Sequence, residues 1–184
     1  MTDQTTTRRF EAIALPHLNA AYNLARWLTR NDRDAEDVVQ EAFLRAFKFF
    51  ASFRGENGRA WLLGIVRNTC YSWLRQNRRH ELDAPFDEQL HSLVLPGHDR
   101  PDADPEAIAA RHEDWQRLSQ ALEKLPLEFR EVVVLRDLED LSYKEIAEIA
   151  AIPIGTVMSR LARGRRLLAE HVGQAAQRGS CDGL

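Results

Sequence analysis

The stretch from Leu141 to Leu168 constrains the fold most, because its sequence predicts two helices joined by a tight turn. Ser142, followed three residues later by Glu145, forms a capping box, which is the signature of a helix N-terminus. Pro153 disfavours helix at the preceding residue and suits the first turn of a new helix, so the first helix should end by about Ala151. Apolar residues at helical spacing would pack the two helices together: Ile146, Ala147, Ile149, Ala150, Val157, Leu161 and Leu168.

The second of these helices carries short polar residues early and arginines late. Such a helix suits the reading of base edges in the major groove, followed by phosphate contacts. An ordinary helical hairpin with a solvated basic face is the alternative, and DNA binding is favoured because the cap, the turn and the basic helix agree. The side chains expected to point away from the packed face are Thr156, Met158, Ser159, Arg160, Arg163, Arg165 and Arg166.

The 184 residues allow one domain or two small ones, and an apolar fraction of 44% is enough for hydrophobic cores. Because strand-like alternation is rare, we expect an all-helical protein. No apolar run approaches the roughly 20 residues that span a bilayer, and the polar N-terminus has no signal core. We therefore expect a cytoplasmic protein without membrane insertion. The two cysteines, Cys70 and Cys181, lie outside any CxxC pair, and we expect a buried structural thiol and a tail thiol. The sequence shows no catalytic motif, so we predict neither an enzyme nor a metal or cofactor site.

The acidic excess of the chain is concentrated in its middle. Residues 81–106 hold eight acidic residues against one basic residue, together with four prolines. This composition predicts a flexible acidic linker between an N-terminal domain at 8–80 and a C-terminal domain at 107–173. The net charge of −3 therefore does not argue against DNA binding, which depends on local basic patches.

The N-terminal domain should contain three helices, Arg8–Arg30 with a possible kink at Pro16, Asp34–Phe50 and Arg59–Arg79. Residues 1–7 and the tail from Gln174 are expected to be disordered or frayed. Pattern alone favours a solvated surface for the charges of the second helix. The edge of the third helix is basic and partly aromatic, which suits single-stranded nucleic acid about as well as an ordinary core boundary. The first helix is expected to bury Ile13, Leu15, Leu18, Ala21, Tyr22, Ala25 and Leu28.

Three stretches resemble the bacterial sigma factors of the extracytoplasmic-function (ECF) group, in the sigma-70 family. They are DAEDVVQEAFLRAFKFF, FRGENGRAWLLGIVRNTCYSWLRQNRR and the run from Leu125 to Leu168. The resemblance implies a sigma-2-like helical bundle and a sigma-4-like helix-turn-helix domain. It also implies a transcription initiation subunit of RNA polymerase that recognises the minus-ten and minus-thirty-five promoter elements and assists melting.

The resemblance also assigns partners and residues. The N-terminal domain would bind the clamp helices of the largest polymerase subunit, and the C-terminal domain would pack on the flap of the second-largest subunit. An anti-sigma factor is expected by analogy. The polymerase-binding positions are Asp34, Asp37, Gln40, Glu41 and Arg45. The minus-ten positions are Lys48, Arg54, Asn57, Arg59, Trp61, Arg67, Asn68, Tyr71 and Arg75, with Arg78 and Arg79 near adjacent phosphates. The minus-thirty-five positions are Thr156, Met158, Ser159, Arg160, Ala162, Arg163, Arg165 and Arg166.

Two rival functions leave part of the sequence unused. A stand-alone helix-turn-helix regulator that binds operators as a dimer gives the helices between Asp34 and Arg79 no role. A helical adaptor or anti-sigma-like protein leaves the arginines of the last helix unexplained. The acidic linker is hypothesised to mimic nucleic acid inside a basic polymerase channel.

Overall fold

The computed structural model describes residues 2–55, 57–77 and 105–179 of the chain. Within these ranges the chain is helical and contains no strand, which confirms the all-helical prediction. The helices are α1 (Thr2–Ala14), α2 (Leu18–Thr29), α3 (Asp32–Phe49), α4 (Gly58–Asn77), α5 (Pro105–Glu123), α6 (Leu127–Val133), α7 (Tyr143–Ala150) and α8 (Ile154–Gly179). All but the last two residues of the predicted linker, 81–104, lie outside the described residues, as do Arg78, Arg79 and Cys181. None of the helices in the described ranges combines the length and apolarity needed to cross a bilayer.

In the N-terminal half, α1–α4, local sequence features explain where the helices begin and end. Pro16 lies in a short 3₁₀ turn, Leu15–His17, that separates α1 from α2, so the predicted kink is a break between two helices. Arg30 adopts a left-handed conformation at the end of α2, with φ 61°. The side chain of Asn31 then accepts a hydrogen bond from the backbone N–H of Asp34 at 3.1 Å, which caps α3.

Two predictions for this half are wrong. The polar start of the chain is helical from Thr2, because α1 is anchored by Phe10, whose ring makes edge contacts with Phe47 at 5.2 Å and Phe50 at 5.4 Å. Leu15 and Leu18 were expected in the core but are 53% and 42% exposed. The 3₁₀ turn explains this exposure, because it interrupts the regular helix in which the two leucines would both face the core.

The C-terminal half, α5–α8, contains the predicted helix-turn-helix. The capping box is confirmed: Ser142 and Glu145 exchange hydrogen bonds at the start of α7. The first helix ends at Ala150, in agreement with the predicted end by about Ala151, and Ala151 adopts a left-handed conformation. Val157 and Leu161 are buried.

One further feature of α8 differs from the predictions, and a second was not predicted. The helix continues to Gly179, so the predicted fraying from Gln174 is wrong as far as residue 179. Gly164 lies so close to α6 that an added Cβ would approach the side chain of Val133 to 2.8 Å. The small residue at this position therefore permits the close helix packing.

The two halves pack against each other around one continuous hydrophobic core. Trp27 of α2 makes an edge contact with Trp115 of α5 at 6.5 Å between ring centroids. The buried guanidinium of Arg130 donates a hydrogen bond to the backbone carbonyl of Trp27 at 2.9 Å. The sequence predicts two modules held apart by the linker, whereas in this structure they are in direct contact.

Candidate nucleic-acid and polymerase interfaces

Helix α8 presents one apolar face to the protein and one polar face to solvent. Val157 and Leu161 face the core, while Arg163 is exposed and Met158 is 51% exposed. This alternation follows from the 3.6-residue period of the helix. The remaining predicted minus-thirty-five positions are exposed or half-buried along the same helix: Thr156, Ser159, Arg160, Ala162, Arg165 and Arg166.

Arg165 and Arg166 both have acidic neighbours. The guanidinium of Arg165 donates two hydrogen bonds to the carboxylate of Asp137, at 3.1 and 2.5 Å. This pair raises the pKa of Arg165. Arg166 pairs more loosely with Glu170 at 3.8 Å, one helical turn along. Arg165 is thus oriented by the protein, while Arg163 projects from the exposed face.

Helix α3 carries an exposed acidic face with an apolar residue at its centre. Glu41 and Arg45 form an ion pair at 2.7 Å across one helical turn. Leu44 is 68% exposed and shares a face with Asp37 and Gln40, since these positions recur at helical spacing. Of the five predicted polymerase-binding residues, Asp34 is half-buried and the others are exposed.

Sequence reasoning missed Leu44. Its signal was present, because an apolar side chain falls out of phase with the buried stripe of α3 and in phase with the polar one. Single exposed apolar residues are common on protein surfaces, so Leu44 is of interest because it lies on the predicted polymerase-binding face.

The loop before α4 and the face of α4 border an open cleft of about 960 Å³. Phe53 and Trp61 lie against each other at its aromatic end, with ring centroids 4.6 Å apart. Asn57 caps α4 by accepting a hydrogen bond from the backbone N–H of Ala60 at 3.0 Å. The lining residues from this side include Ser52, Phe53, Arg54, Gly55, Asn57, Ala60, Trp61, Gly64, Ile65 and Asn68.

The opposite wall of the cleft comes from α7 in the C-terminal half, through Lys144, Glu145 and Glu148. The side-chain amide of Asn57 donates a hydrogen bond to the carboxylate of Glu145 at 2.7 Å. Hydrogen bonds from Ser142 lower the pKa of Glu145, so this carboxylate is charged where it meets the loop. The wall of α7 therefore brings negative charge to a surface predicted to receive DNA.

Arg59 is held by Glu139. Its guanidinium donates hydrogen bonds to the Glu139 carboxylate at 2.8 Å and to the Glu139 backbone carbonyl at 2.9 Å. Glu139 also accepts a hydrogen bond from the side chain of Asn23 at 3.2 Å. Only 7% of the Glu139 side chain is exposed, so the hydrogen bonds from these donors replace the hydration that the carboxylate loses on burial.

Arg67 and Tyr71 share a second buried carboxylate. The guanidinium of Arg67 donates to one oxygen of Glu131 at 2.6 Å, and the hydroxyl of Tyr71 donates to the other at 2.9 Å. The side chain of Glu131 is fully buried, and the Arg67 guanidinium lies 4.0 Å above the centre of the Tyr71 ring. Burial and the Glu131 charge raise the pKa of Tyr71, which stays a neutral hydrogen-bond donor.

The predicted minus-ten residues are thus divided between two environments. Asn57, Arg59, Arg67 and Tyr71 contact the C-terminal half, and Trp61 is half-buried in the aromatic cluster. The others are exposed: Lys48, Arg54, Asn68 and Arg75. Sequence reasoning did not anticipate Glu131 and Glu139 as partners, although a carboxylate inside an apolar run such as the one around Glu131 indicates a buried polar contact.

Cys70 lies fully buried on α4, next to this polar group. Burial raises the pKa of its thiol to about 12, with a smaller contribution from Glu131. The thiol is therefore protonated near neutral pH, as expected of a structural cysteine. Among the described residues, no group of three or more His, Cys, Asp or Glu side chains has an arrangement that could hold a metal ion.

Comparisons with known proteins match both halves to one family. Residues 13–80 match the family model described as Sigma-70 region 2, and residues 115–168 match Sigma-70, region 4. The chain is 34% identical over 180 residues to the ECF RNA polymerase sigma factor SigE of Mycolicibacterium smegmatis, covering 95% of this chain and 67% of that protein. It is 37% identical over 137 residues to the ECF RNA polymerase sigma-E factor of Escherichia coli, covering 73% of this chain and 72% of that protein.

Two solved structures share the fold. The sigma factor RpoE in complex with the anti-sigma factor NepR from Bartonella quintana matches with a TM-score of 0.68 and 30% identity, over 90% of this chain and 98% of that chain. CnrH in complex with the cytosolic domain of CnrY matches with a TM-score of 0.62 and 24% identity, over 91% of this chain and 90% of that chain.

Proposed function

We propose that the two halves of this chain recognise different promoter elements. The chain belongs to the ECF group of RNA polymerase sigma factors in the sigma-70 family. As a member of that family it is a transcription initiation factor that binds core RNA polymerase and promoter DNA. The stand-alone regulator is not favoured, because the N-terminal half matches a sigma-70 region in its own right. We further propose that the protein acts in the cytoplasm and leaves the chemistry of RNA synthesis to the polymerase.

The acidic face of α3 is the proposed docking surface for the clamp helices of the largest polymerase subunit. Asp37, Gln40 and Glu41 supply polar and charged contacts, and the exposed Leu44 supplies an apolar anchor. An anchor ringed by polar groups is a common arrangement at protein interfaces. The C-terminal half is proposed to pack on the flap of the second-largest subunit.

The loop before α4 and the face of α4 are the proposed minus-ten surface. Extruding a base from the duplex costs a few kcal/mol, so melting requires contacts that only the displaced strand can make. The cleft beside Phe53 and Trp61 supplies aromatic surface for an unstacked base, and the exposed Asn68 supplies a hydrogen-bonding group at its edge. Arg67 and Arg75 on the same helix would contact neighbouring phosphates.

Helix α8 is the proposed minus-thirty-five reader. This proposal rests chiefly on one observation, the exposed polar face of α8 directly after a capped helix and a tight turn. Arg163 is placed for a base or phosphate contact, while Met158 and Ala162 can contribute only apolar contacts, such as those to a thymine methyl group. Binding to an anti-sigma factor is also proposed, since a similar sigma factor forms such a complex.

The experiment that tests this function combines the purified full-length chain with core RNA polymerase and a library of genomic promoters. Specific transcripts that depend on the chain are the expected result. Duplex binding without polymerase and without transcripts would instead support a stand-alone regulator. If the chain gave neither transcripts nor duplex binding, the protein-binding adaptor would be supported.

A single substitution separates melting from polymerase binding. Asn68→Ala should reduce promoter opening, measured by permanganate reactivity of unpaired thymines, because it removes a contact to the displaced strand. Its affinity for core polymerase should be unchanged. Gln120→Ala, at an exposed position of α5, is the matched amide control. A loss of polymerase affinity in Asn68→Ala would show that the minus-ten surface has been misplaced.

A further inference from the structure

We propose that Asp137 is a positioning residue for promoter recognition: it fixes Arg165 of α8 as a phosphate contact that sets the register of α8 on the minus-thirty-five element. The contact with DNA is made by Arg165, and Asp137 acts only through that side chain. This inference rests on the proposed role of α8 as the minus-thirty-five reader. It adds a residue that lies outside the helix-turn-helix, in the π-helical turn Val134–Leu138.

The first argument is the way in which the pair uses the donors of the guanidinium. Nε of Arg165 donates to one oxygen of Asp137 at 3.1 Å, and Nη2 donates to the other at 2.5 Å. The group is planar, so this pairing fixes the direction of the N–H donors that remain on Nη1 and Nη2. The side chain of Arg165 is 49% exposed, and an anion can therefore approach it while the pair is intact. A pair of phosphate oxygens matches such donors.

The second argument is the position of Arg165 along α8. Recognition helices contact base edges with their N-terminal residues, which here include Met158 and Ser159. Arg165 lies about 16 Å along the helix axis from Ile154, the first residue of α8. A side chain this far beyond the start of the helix is suited to the DNA backbone. Phosphate contacts carry no sequence information themselves, but they fix the register in which the other side chains meet the bases.

The third argument is the support that Asp137 receives from its own turn. π-Helical turns are rare and are frequently found at functional sites. This turn is tied to the region that leads into α7, because the guanidinium of Arg136 donates a hydrogen bond to the carbonyl of Leu141 at 2.8 Å. Asp137 is thus held from one side while it orients Arg165 on the other. An arginine that is oriented before it meets DNA loses less side-chain freedom on binding.

The fourth argument is that stability does not explain the pair. The side chains of Asp137 and Arg165 are 35% and 49% exposed, and exposed ion pairs add little to stability. Close packing already joins α6 to α8, since a Cβ added at Gly164 would lie 2.8 Å from the side chain of Val133. A carboxylate beside a DNA-binding helix also repels phosphates. Its place there is explained if it directs the arginine.

These opposing effects give Asp137→Asn a distinctive result. Removal of a carboxylate near DNA favours binding to any duplex through charge alone. Loss of the positioned arginine weakens binding only where α8 has a correct register to lose. We therefore expect Asp137→Asn to reduce discrimination between promoters without reducing the affinity for unrelated DNA.

The test uses holoenzyme assembled from the full-length chain and core RNA polymerase. Its dissociation constants are measured for two labelled promoter fragments, one selected with wild-type holoenzyme and one in which the minus-thirty-five element is scrambled. The ratio of the two constants reports discrimination. Asp137→Asn should lower this ratio about fivefold, and its affinity for the scrambled fragment should equal or exceed that of wild type.

Asp140→Asn is the matched control, because it makes the same chemical change nearby in the chain. The side chain of Asp140 is 95% exposed and pairs only loosely with Arg136, at 3.5 Å. The discrimination ratio of this variant should stay within about twofold of the wild-type ratio.

A double-variant cycle asks whether Asp137 acts through Arg165. Arg165→Ala should lower the ratio about as much as Asp137→Asn does, and adding Asp137→Asn to Arg165→Ala should lower it no further. Arg165→Lys keeps the positive charge but lacks the planar fork, so it should also lower the ratio. The lysine variant decides the question if circular dichroism shows that Asp137→Asn is misfolded.

Three results overturn the positioning role. The first is an unchanged ratio in Asp137→Asn. The second is a further loss when Asp137→Asn is added to Arg165→Ala, which would assign Asp137 a structural role. The third is a wild-type ratio in Arg165→Lys. In each case a wild-type preference for the selected fragment leaves α8 as the minus-thirty-five reader. Equal binding of both fragments by wild-type holoenzyme would instead remove that function and the positioning role with it.

Discussion

Helices α4 and α8 both carry arginines predicted to contact DNA, yet the fold places Arg67 of α4 and Arg163 of α8 in opposite environments. On α4, Arg67 pairs with a carboxylate that has no solvent exposure. On α8, Arg165 pairs with Asp137, whose side chain is 35% exposed, and Arg163 faces solvent. A basic helix face therefore does not by itself define an accessible binding surface. The exposed Arg163 belongs to the surface proposed for duplex DNA, whereas the surface proposed for the melted strand combines the covered Arg67 with the exposed Arg54 and Arg75.

The largest expected effect comes from removing one partner of the covered pair. Glu131→Ala should lower the free energy of unfolding by about 3 kcal/mol, because it leaves Arg67 and Tyr71 partly buried without their acceptor. Asp137→Ala breaks the exposed pair with Arg165 and should cost less than about 1 kcal/mol, since water replaces the lost contact. Urea unfolding of both variants measures the difference. Similar losses would mean that the two arginines experience the same environment.

The second prediction contrasts two glycines on α8, one at a covered position and one at an open position. Gly164→Ala should destabilise the protein by about 2 kcal/mol, because its Cβ would lie 2.8 Å from Val133 and 3.3 Å from the Phe129 carbonyl. Gly173→Ala meets nothing within 4 Å and should stabilise the helix by about 0.5 kcal/mol. Thermal melts followed by circular dichroism compare the two. A stable Gly164→Ala variant would contradict the close contact between α6 and α8.

The third prediction tests the open surface by function. Arg163→Ala should weaken use of promoters through the minus-thirty-five element by about 1–3 kcal/mol if this arginine reads a base. The melting temperature should not change, because the side chain is exposed. Transcription by holoenzyme is the measurement, and Arg117→Ala, an exposed arginine of α5, is the matched control. An equal loss in both variants would show a general charge effect.

The same contrast explains which features the sequence predicted. The capping box at Ser142, the turn before Pro153 and the cap at Asn31 depend on residues within three or four positions, so their patterns are visible in a single chain. The pairing of Arg67 with Glu131 spans 64 positions and depends on how the two halves pack. The apolar run around Glu131 indicates a buried polar contact, but no local pattern identifies Arg67 as its partner. The exposure of Leu15 likewise depends on a 3₁₀ turn.

Part of the candidate site could also be predicted from the sequence, and part could not. The exposed face of α8 follows directly from helical periodicity, once the buried Val157 and Leu161 set the phase of the helix. The covering of α4 by the C-terminal half does not follow from periodicity, and the sequence predicted modules held apart. The assignments of individual residues to polymerase and promoter contacts stay predictions, for which the variants above provide tests.

The last and smallest expected effect uses Cys70 as a reporter on the covered side. In a Cys181→Ser background, Cys70 should react very slowly with a thiol reagent at about pH 8, since a pKa of about 12 leaves only about one thiol in 10,000 ionised. Unfolding in denaturant restores an ordinary thiol pKa, so reaction should then be fast and provides the internal control. Because Glu131 contributes to the raised pKa, Glu131→Gln should increase the rate modestly without unfolding the protein. Rapid reaction in the native wild-type protein would contradict the burial of this face of α4, and with it the contrast between the covered and open helices.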